Sequence, residues 1–199
     1  STLADDINLI ENQPGNKVQP LYEASFDAWI KYYRPNENTN NSGVSYYSKG
    51  AVVAMLLDLE IIHHSDGKYS LDDVMKEAYN EFYKDKKRGY TDVEFKQLLE
   101  KYAGNLDEFY EQYIYGVADI DYNKYLGYAG FKLINTMANN NIPALGITTV
   151  STNGKTIITS VIKNSAAWID GLNVNDELTA IGGHPFADVA SALTGKSIG

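Results

Sequence analysis

The chain has 199 residues, 44% of them hydrophobic, which is enough for one or two small cores, and its 26 acids against 17 bases give a net charge of −9. That balance argues against a phosphate-binding surface or an anionic membrane as partner. Without cysteine there is neither a disulfide framework nor a thiol nucleophile, and no signal peptide or transmembrane stretch is visible.

Leu3, Ile7 and Ile10 are spaced for one face of a short helix over residues 1–12, which Pro14-Gly15-Asn16 ends. Ser25 offers an N-cap to a second helix, with Phe26, Trp29, Ile30 and Tyr33 at helical spacing and Arg34-Pro35 closing it. Residues 36–42 form a polar, asparagine-rich loop that fits the rim of a cleft and a solvated connector equally well. The stretch 45–64 then dominates the chain. From Ala51 to Ile62 only Asp58 and Glu60 interrupt apolar residues, with Val52, Met55, Leu56 and Leu59 on one face and Val53, Leu57 and Ile61 on another. A helix apolar nearly all round is buried on several sides. This one is too short and too interrupted to span a bilayer. Gly50 inside it costs roughly 1 kcal/mol against Ala, which implies a neighbour packed close to its backbone.

Asp66-Gly67-Lys68 is a turn, and Ser70-Leu71-Asp72-Asp73 starts a helix whose apolar face is Val74, Ala78 and Phe82, with Met75 and Tyr79 beside it. Lys84 to Arg88 is a solvated basic terminus. Thr91 and Glu94 form a capping box for the next helix, with Val93, Phe95, Leu98, Leu99 and Tyr102 as its apolar face and Gly104 as its end. One more helix covers residues 106–115, with Phe109, Tyr113 and Ile114 turned inward, and a last short one covers 121–128. Several helices joined by short loops make an all-α bundle. Beyond Gly130 the composition changes. Residues 131–134, 145–150, 156–161 and 177–181 read as strands, and Asn153-Gly154 is a hairpin signal.

Tyr47-Ser48-Lys49-Gly50 ahead of the apolar helix resembles the Tyr-x-Lys-Gly element of gluzincin aminopeptidases. Together with Ala24-Ser25-Phe26-Asp27-Ala28-Trp29-Ile30, Tyr33-Arg34-Pro35, Val44-Ser45-Tyr46-Tyr47, Leu57-Asp58-Leu59 and Ser70-Leu71-Asp72-Asp73-Val74-Met75, the chain is similar to the M61 family of glycyl-aminopeptidase-like zinc metallopeptidases. The resemblance is collinear over nearly the whole chain. It implies that Tyr47 is catalytic, its hydroxyl stabilising the tetrahedral oxyanion. By residue type alone Tyr47 is one of sixteen tyrosines, packing at a helix start. The family's His-Glu-x-x-His and downstream Glu are absent. His63 and His64 are adjacent, point about 100° apart on a helix and suit its C-terminal dipole, while His184 sits in a turn. No residue of this chain is therefore a metal ligand, and zinc is expected only in a full-length parent.

Asn164-Ser165-Ala166-Ala167, Asp170-Gly171-Leu172, Asn175-Asp176-Glu177-Leu178 and Ile181-Gly182-Gly183 are similar to the core signature of PDZ domains. Leu145-Gly146-Ile147 would be the carboxylate-binding loop and Thr148 would open the peptide-accepting strand. Val189, on a helix over residues 186–193, would border the side-chain pocket. Ala166, Asp170, Asn175 and Gly182 depart from the family's usual residues, and the chain ends before the expected closing strands. The expectation is thus α+β and multidomain. An all-α bundle (residues 1–129, the helical C-terminal part of a peptidase catalytic domain) precedes a small, truncated PDZ-like β domain (residues 130–199).

The resemblance implies a fragment of a zinc aminopeptidase that removes N-terminal residues from peptides and is inactive alone. Its partners would be peptide substrate and the missing N-terminal part of the same protein, with no nucleic acid and no membrane span. The alternative is a PDZ-type module that captures C-terminal peptides without catalysis, or only mediates interaction. The compartment stays open, with family habit pointing to the periplasm or secretion.

Overall fold

Local signals set most of the elements. In the computed structural model, which describes residues 2–138, 142–185 and 188–196, helix α1 (Leu3–Glu11) opens on a capping box between Thr2 and Asp5. A 3-10 turn follows (Pro14–Lys17), and α2 (Leu21–Phe26) begins directly after Pro20. A single turn, α3 (Thr39–Ser42), precedes the long helix α4 (Tyr46–His64). Ser45 caps α4 by accepting the N–H of Ser48.

Two cores share α4. Its Val53, Leu56, Leu57 and Ile61 pack with Val74 and Ala78 of α5 (Leu71–Ala78), Leu98 and Leu99 of α6 (Asp92–Ala103), Phe109 of α7 (Asp107–Phe109) and Tyr125 of α8 (Tyr122–Tyr128). On its other side Val52 packs with Ile7 and Ile10 of α1 and with Tyr122 and Leu126. This is the several-sided burial that the two apolar faces imply. Helices α5 and α7 each run on into a π-helical stretch, Tyr79–Asp85 and Tyr110–Ile114. No described helix is long and apolar enough to cross a membrane.

The last part of the chain is a three-stranded antiparallel sheet in the order β1 (Ile147–Thr152), β2 (Lys155–Val161), β3 (Glu177–Leu178). Asn153 and Gly154 both have positive φ, as the hairpin signal requires. Ile158 and Val161 pack on Ala167 of α9 (Ala166–Ile169) to form a separate small core. Helix α10 (Val189–Leu193) contributes no buried residue. The molecule is therefore α+β. Its sheet is tied to its helices by Asn41, which is buried: the side-chain NH₂ donates to the Val161 carbonyl and the side-chain oxygen accepts from the Lys163 N–H, each at 2.8 Å.

Four expectations are corrected. Ser25 caps no helix: α2 ends at Phe26, residues beyond it run in tight turns, and Phe26, Trp29 and Ile30 are 81%, 78% and 69% exposed. Their helical spacing marks a surface, not a core. Residues 131–134 form no strand, because Phe131 N–H closes onto the Leu126 carbonyl and both backbone groups of Leu133 pair with the Asn123 side chain. Met75, Tyr79 and Val93 are exposed rather than inward. Strand β3 stops at Leu178, with only an isolated bridge from Ile181 to His184 beyond it. Of the helix expected over 186–193, residues 186 and 187 lie outside the described ones.

Gly50 also differs from expectation: a Cβ there would meet nothing within 4 Å. The reverse holds at Gly15, where a Cβ would lie 1.9 Å from the Gly43 carbonyl oxygen. The two glycines should therefore respond oppositely to alanine in urea denaturation. Gly50→Ala should raise stability by about 0.5–1 kcal/mol, and Gly15→Ala should lower it by about 1–3 kcal/mol or more.

Candidate functional site

The start of α4 is fixed by a knot of backbone contacts far apart in sequence. Gly15 lies against the backbone of Gly43, and Gln13 Nε2 donates to the Gly43 carbonyl at 2.9 Å. Gln19 Oε1 accepts the Val44 N–H at 3.2 Å. With residues 43 and 44 held in this way, the Ser45 cap brings Tyr46 and Tyr47 into the first turn of α4.

Tyr47 is 57% exposed, and its ring lies 4.2 Å from that of Tyr46. The Tyr33 hydroxyl sits between the two, 2.8 Å from the Tyr47 hydroxyl and 3.0 Å from that of Tyr46. Trp29 and Tyr32 pack on the Tyr33 ring at 5.1 and 5.3 Å. The bond to Tyr33, above all, holds the Tyr47 phenol below its ordinary pKa, while Tyr46 is pushed up, chiefly by its bond to Tyr33. Both directions fit a donor chain running from Tyr46 to Tyr33 to Tyr47. Such a chain leaves the Tyr47 proton free to be donated outward.

A cleft of about 420 Å³ opens beside this cluster. Tyr47, Ser45 and Ser48 from the start of α4 line it, facing Arg34, Asn36 and Thr39. The segment 36–42, which ends in α3, thus lines a cleft, and through Asn41 it is also the joint to the sheet. The motif points to Tyr47, which lines the cleft, and nothing in the sequence pattern singles out Tyr33, Gln19 or Asn41. A signal for Asn41 existed in the density of asparagines, but not one that singles out the buried one.

Residues 1–53 match the family model of the M61 glycyl aminopeptidases. Among solved structures, the aminopeptidase N family protein from Idiomarina loihiensis superposes with a TM-score of 0.76 at 29% sequence identity, covering 89% of this chain and 32% of that one. The chain is M61-like. It spans about a third of the length of that solved relative. No curated protein matches in sequence. The matched segment ends within α4 and includes Tyr47, Lys49 and Gly50.

The described residues of this M61-like chain do not fit a catalytic zinc. They contain no group of three or more His, Cys, Asp or Glu placed to hold a metal ion. His63 is stacked on Tyr128, with centroids 3.8 Å apart, His64 packs against Gly104, and His184 belongs to the bridge at Ile181. The residues expected of a peptide groove lie at two elements of the last part of the chain. Leu145, Gly146, Ile147 and Thr148 lie at the open edge beside β2, and Val189 is on the shallow helix α10.

Lys49, in the same element as Tyr47, is only 2% exposed. Burial, and secondarily the charge of Lys17, lowers its pKa to about 8 from an ordinary 10.5. Between those values the unfolded chain binds the extra proton, so stability rises with pH through that window. Above it the trend reverses, because Tyr122 and Tyr125 have raised pKa values when folded and the unfolded chain loses their protons first. Urea midpoints should therefore climb from about pH 7 to about pH 9.5. Lys49→Met should flatten that climb, and an unchanged slope in the variant would remove Lys49 as its cause.

Proposed function

We propose that this chain is part of a zinc aminopeptidase of the M61 type. Residues 1–129 would be the helical C-terminal part of the catalytic domain and residues 130–199 a partial PDZ domain. The gluzincin zinc would be a cofactor of the full-length parent, held by residues outside this chain. The substrate would be a peptide that loses its N-terminal residue.

Tyr47 is the catalytic residue in this reading. One observation carries it: Tyr47 stands 57% exposed in the first turn of a 19-residue helix, its hydroxyl hydrogen-bonded with that of Tyr33 at 2.8 Å, and lines a cleft. When the scissile carbonyl is attacked, negative charge gathers on its oxygen. A pre-placed O–H at that point stabilises the transition state more than the ground state. The positive end of the α4 dipole acts in the same sense. The exposed Ile30, which lines the cleft, and Trp29, which packs on Tyr33, support docking of the missing N-terminal part on this face.

One feature favours the second reading, a PDZ-type module that takes C-terminal peptides. Strand β1 is an open sheet edge, and among the described residues the Leu145 and Gly146 N–H groups have no acceptor. A peptide could add to that edge by β-augmentation.

In the intact parent, Tyr47→Phe should lower kcat by about 10²–10³ while KM changes little. The phenolate cannot donate, so kcat should also fall on the alkaline side at a pH below that of an ordinary tyrosine. Tyr33→Phe, which removes the bond that favours the Tyr47 phenolate, should move that limb to higher pH. An unchanged kcat in Tyr47→Phe would end the catalytic assignment. The chain alone should turn over no peptide, and chelator-sensitive hydrolysis by it would contradict the proposed division of the site.

A further inference from the structure

The cleft beside Tyr47 runs against the charge of the chain. There are 26 acids to 17 bases overall, yet no Asp or Glu lines this cleft, whereas Lys31 and Arg34 do. Lys31 is engaged by Asp27 at 2.6 Å. Arg34 is exposed and enters no ion pair or side-chain hydrogen bond among the described residues.

Hydrogen-bond donors without acceptors accompany it. Ser45 takes up the N–H groups of Ser48 and Lys49, while those of Tyr46 and Tyr47 in the first turn of α4 have no acceptor among the described residues. Gln19 lines the same cleft and is 3% exposed. Its Oε1 is held by Val44, but its buried Nε2 has no partner. A buried amide donor left unpaired is unfavourable, so this wall of the cleft has unused donor capacity. The free guanidinium and the helix start on this cleft suit a planar anion, with the orphaned amide in the wall behind them. A carboxylate meets the guanidinium fork with two parallel bonds.

We propose that this cleft is a carboxylate subsite, in which Arg34 and the Tyr47 end of α4 hold the free α-carboxylate of a short peptide. The identity of the ligand as a peptide rests on the peptidase reading above; the carboxylate binding does not. A volume of about 420 Å³ suits two or three residues. With Tyr47 in the wall, the C-terminus would lie within a few residues of the bond that is cut. Short peptides would then be preferred over protein N-termini.

The test is an NMR titration of this chain with Ala-Ala-Ala, its C-terminal amide, and the amide of Ala-Ala-Glu. The free acid should shift the Gln19 side-chain NH₂ and the Tyr47 amide, and should bind about tenfold or more tightly than its amide, as loss of a charge-assisted pair demands. Arg34→Gln, a surface change, should erase that difference. If Ala-Ala-Glu amide binds as well as the free acid, the carboxylate subsite stands and its assignment to the peptide terminus falls. Equal binding of acid and amide, no binding of either, or a preference that survives Arg34→Gln overturns the proposal. Shifts confined to Gly146 and β1 overturn it too, and hand the carboxylate to the sheet edge. Retention of full kcat by Tyr47→Phe in the parent would sink the oxyanion role and leave this binding result untouched.

Discussion

The rest of the molecule depends on a helix with almost no free side. Burial of α4 against α5–α8 on one flank and against α1 and α8 on the other removes its middle from water, with Leu56 and Ile61 fully enclosed. Apolar burial on that scale is what holds a bundle of short helices together. It also decides where chemistry can occur. Its N-terminal end meets solvent, and there the backbone presents N–H groups and a positive dipole.

Position at that end is set by contacts that depend on the absence or presence of single side-chain atoms. Gly15 has no Cβ, so the chain before α2 can lie directly on Gly43. The Gln19 amide then takes the Val44 N–H. These contacts sit within a few residues of Ser45, so a shift in any of them would move the Tyr33–Tyr47 hydroxyl pair. The tyrosine cluster is correspondingly a property of three segments at once rather than of the motif that announces it.

That difference explains how far the sequence could be read. Helix α4, the Thr91–Glu94 capping box and the Asn153-Gly154 turn are local, and each was legible from neighbouring residues. The motif around Tyr47 was visible for the same reason, as a contiguous element. The segment after Ser25 misled because apolar spacing does not say whether a core lies opposite. Residues 131–134 misled because β-branched and aromatic residues make a strand only where a partner strand exists. Tyr33, Gln19 and Arg34 belong to the site through contacts made across the fold, and no periodicity encodes those. Gly50 shows the same limit in reverse, since the sequence implied a close neighbour where the structure has open space.

Asn41 has a chemical lifetime as well as a place. Its amide stands in for a stretch of backbone, giving a donor to the Val161 carbonyl and an acceptor to the Lys163 N–H. Hydrolysis of that amide to a carboxylate would keep the shape and exchange the donor for a second acceptor facing a carbonyl. In a buried setting such a pair repels. The sheet would then part from the helical half without a single peptide bond being cut, and the rim of the cleft would lose its anchor. Spontaneous deamidation at one residue would thus act as a slow, irreversible uncoupling of the two halves of an otherwise intact chain.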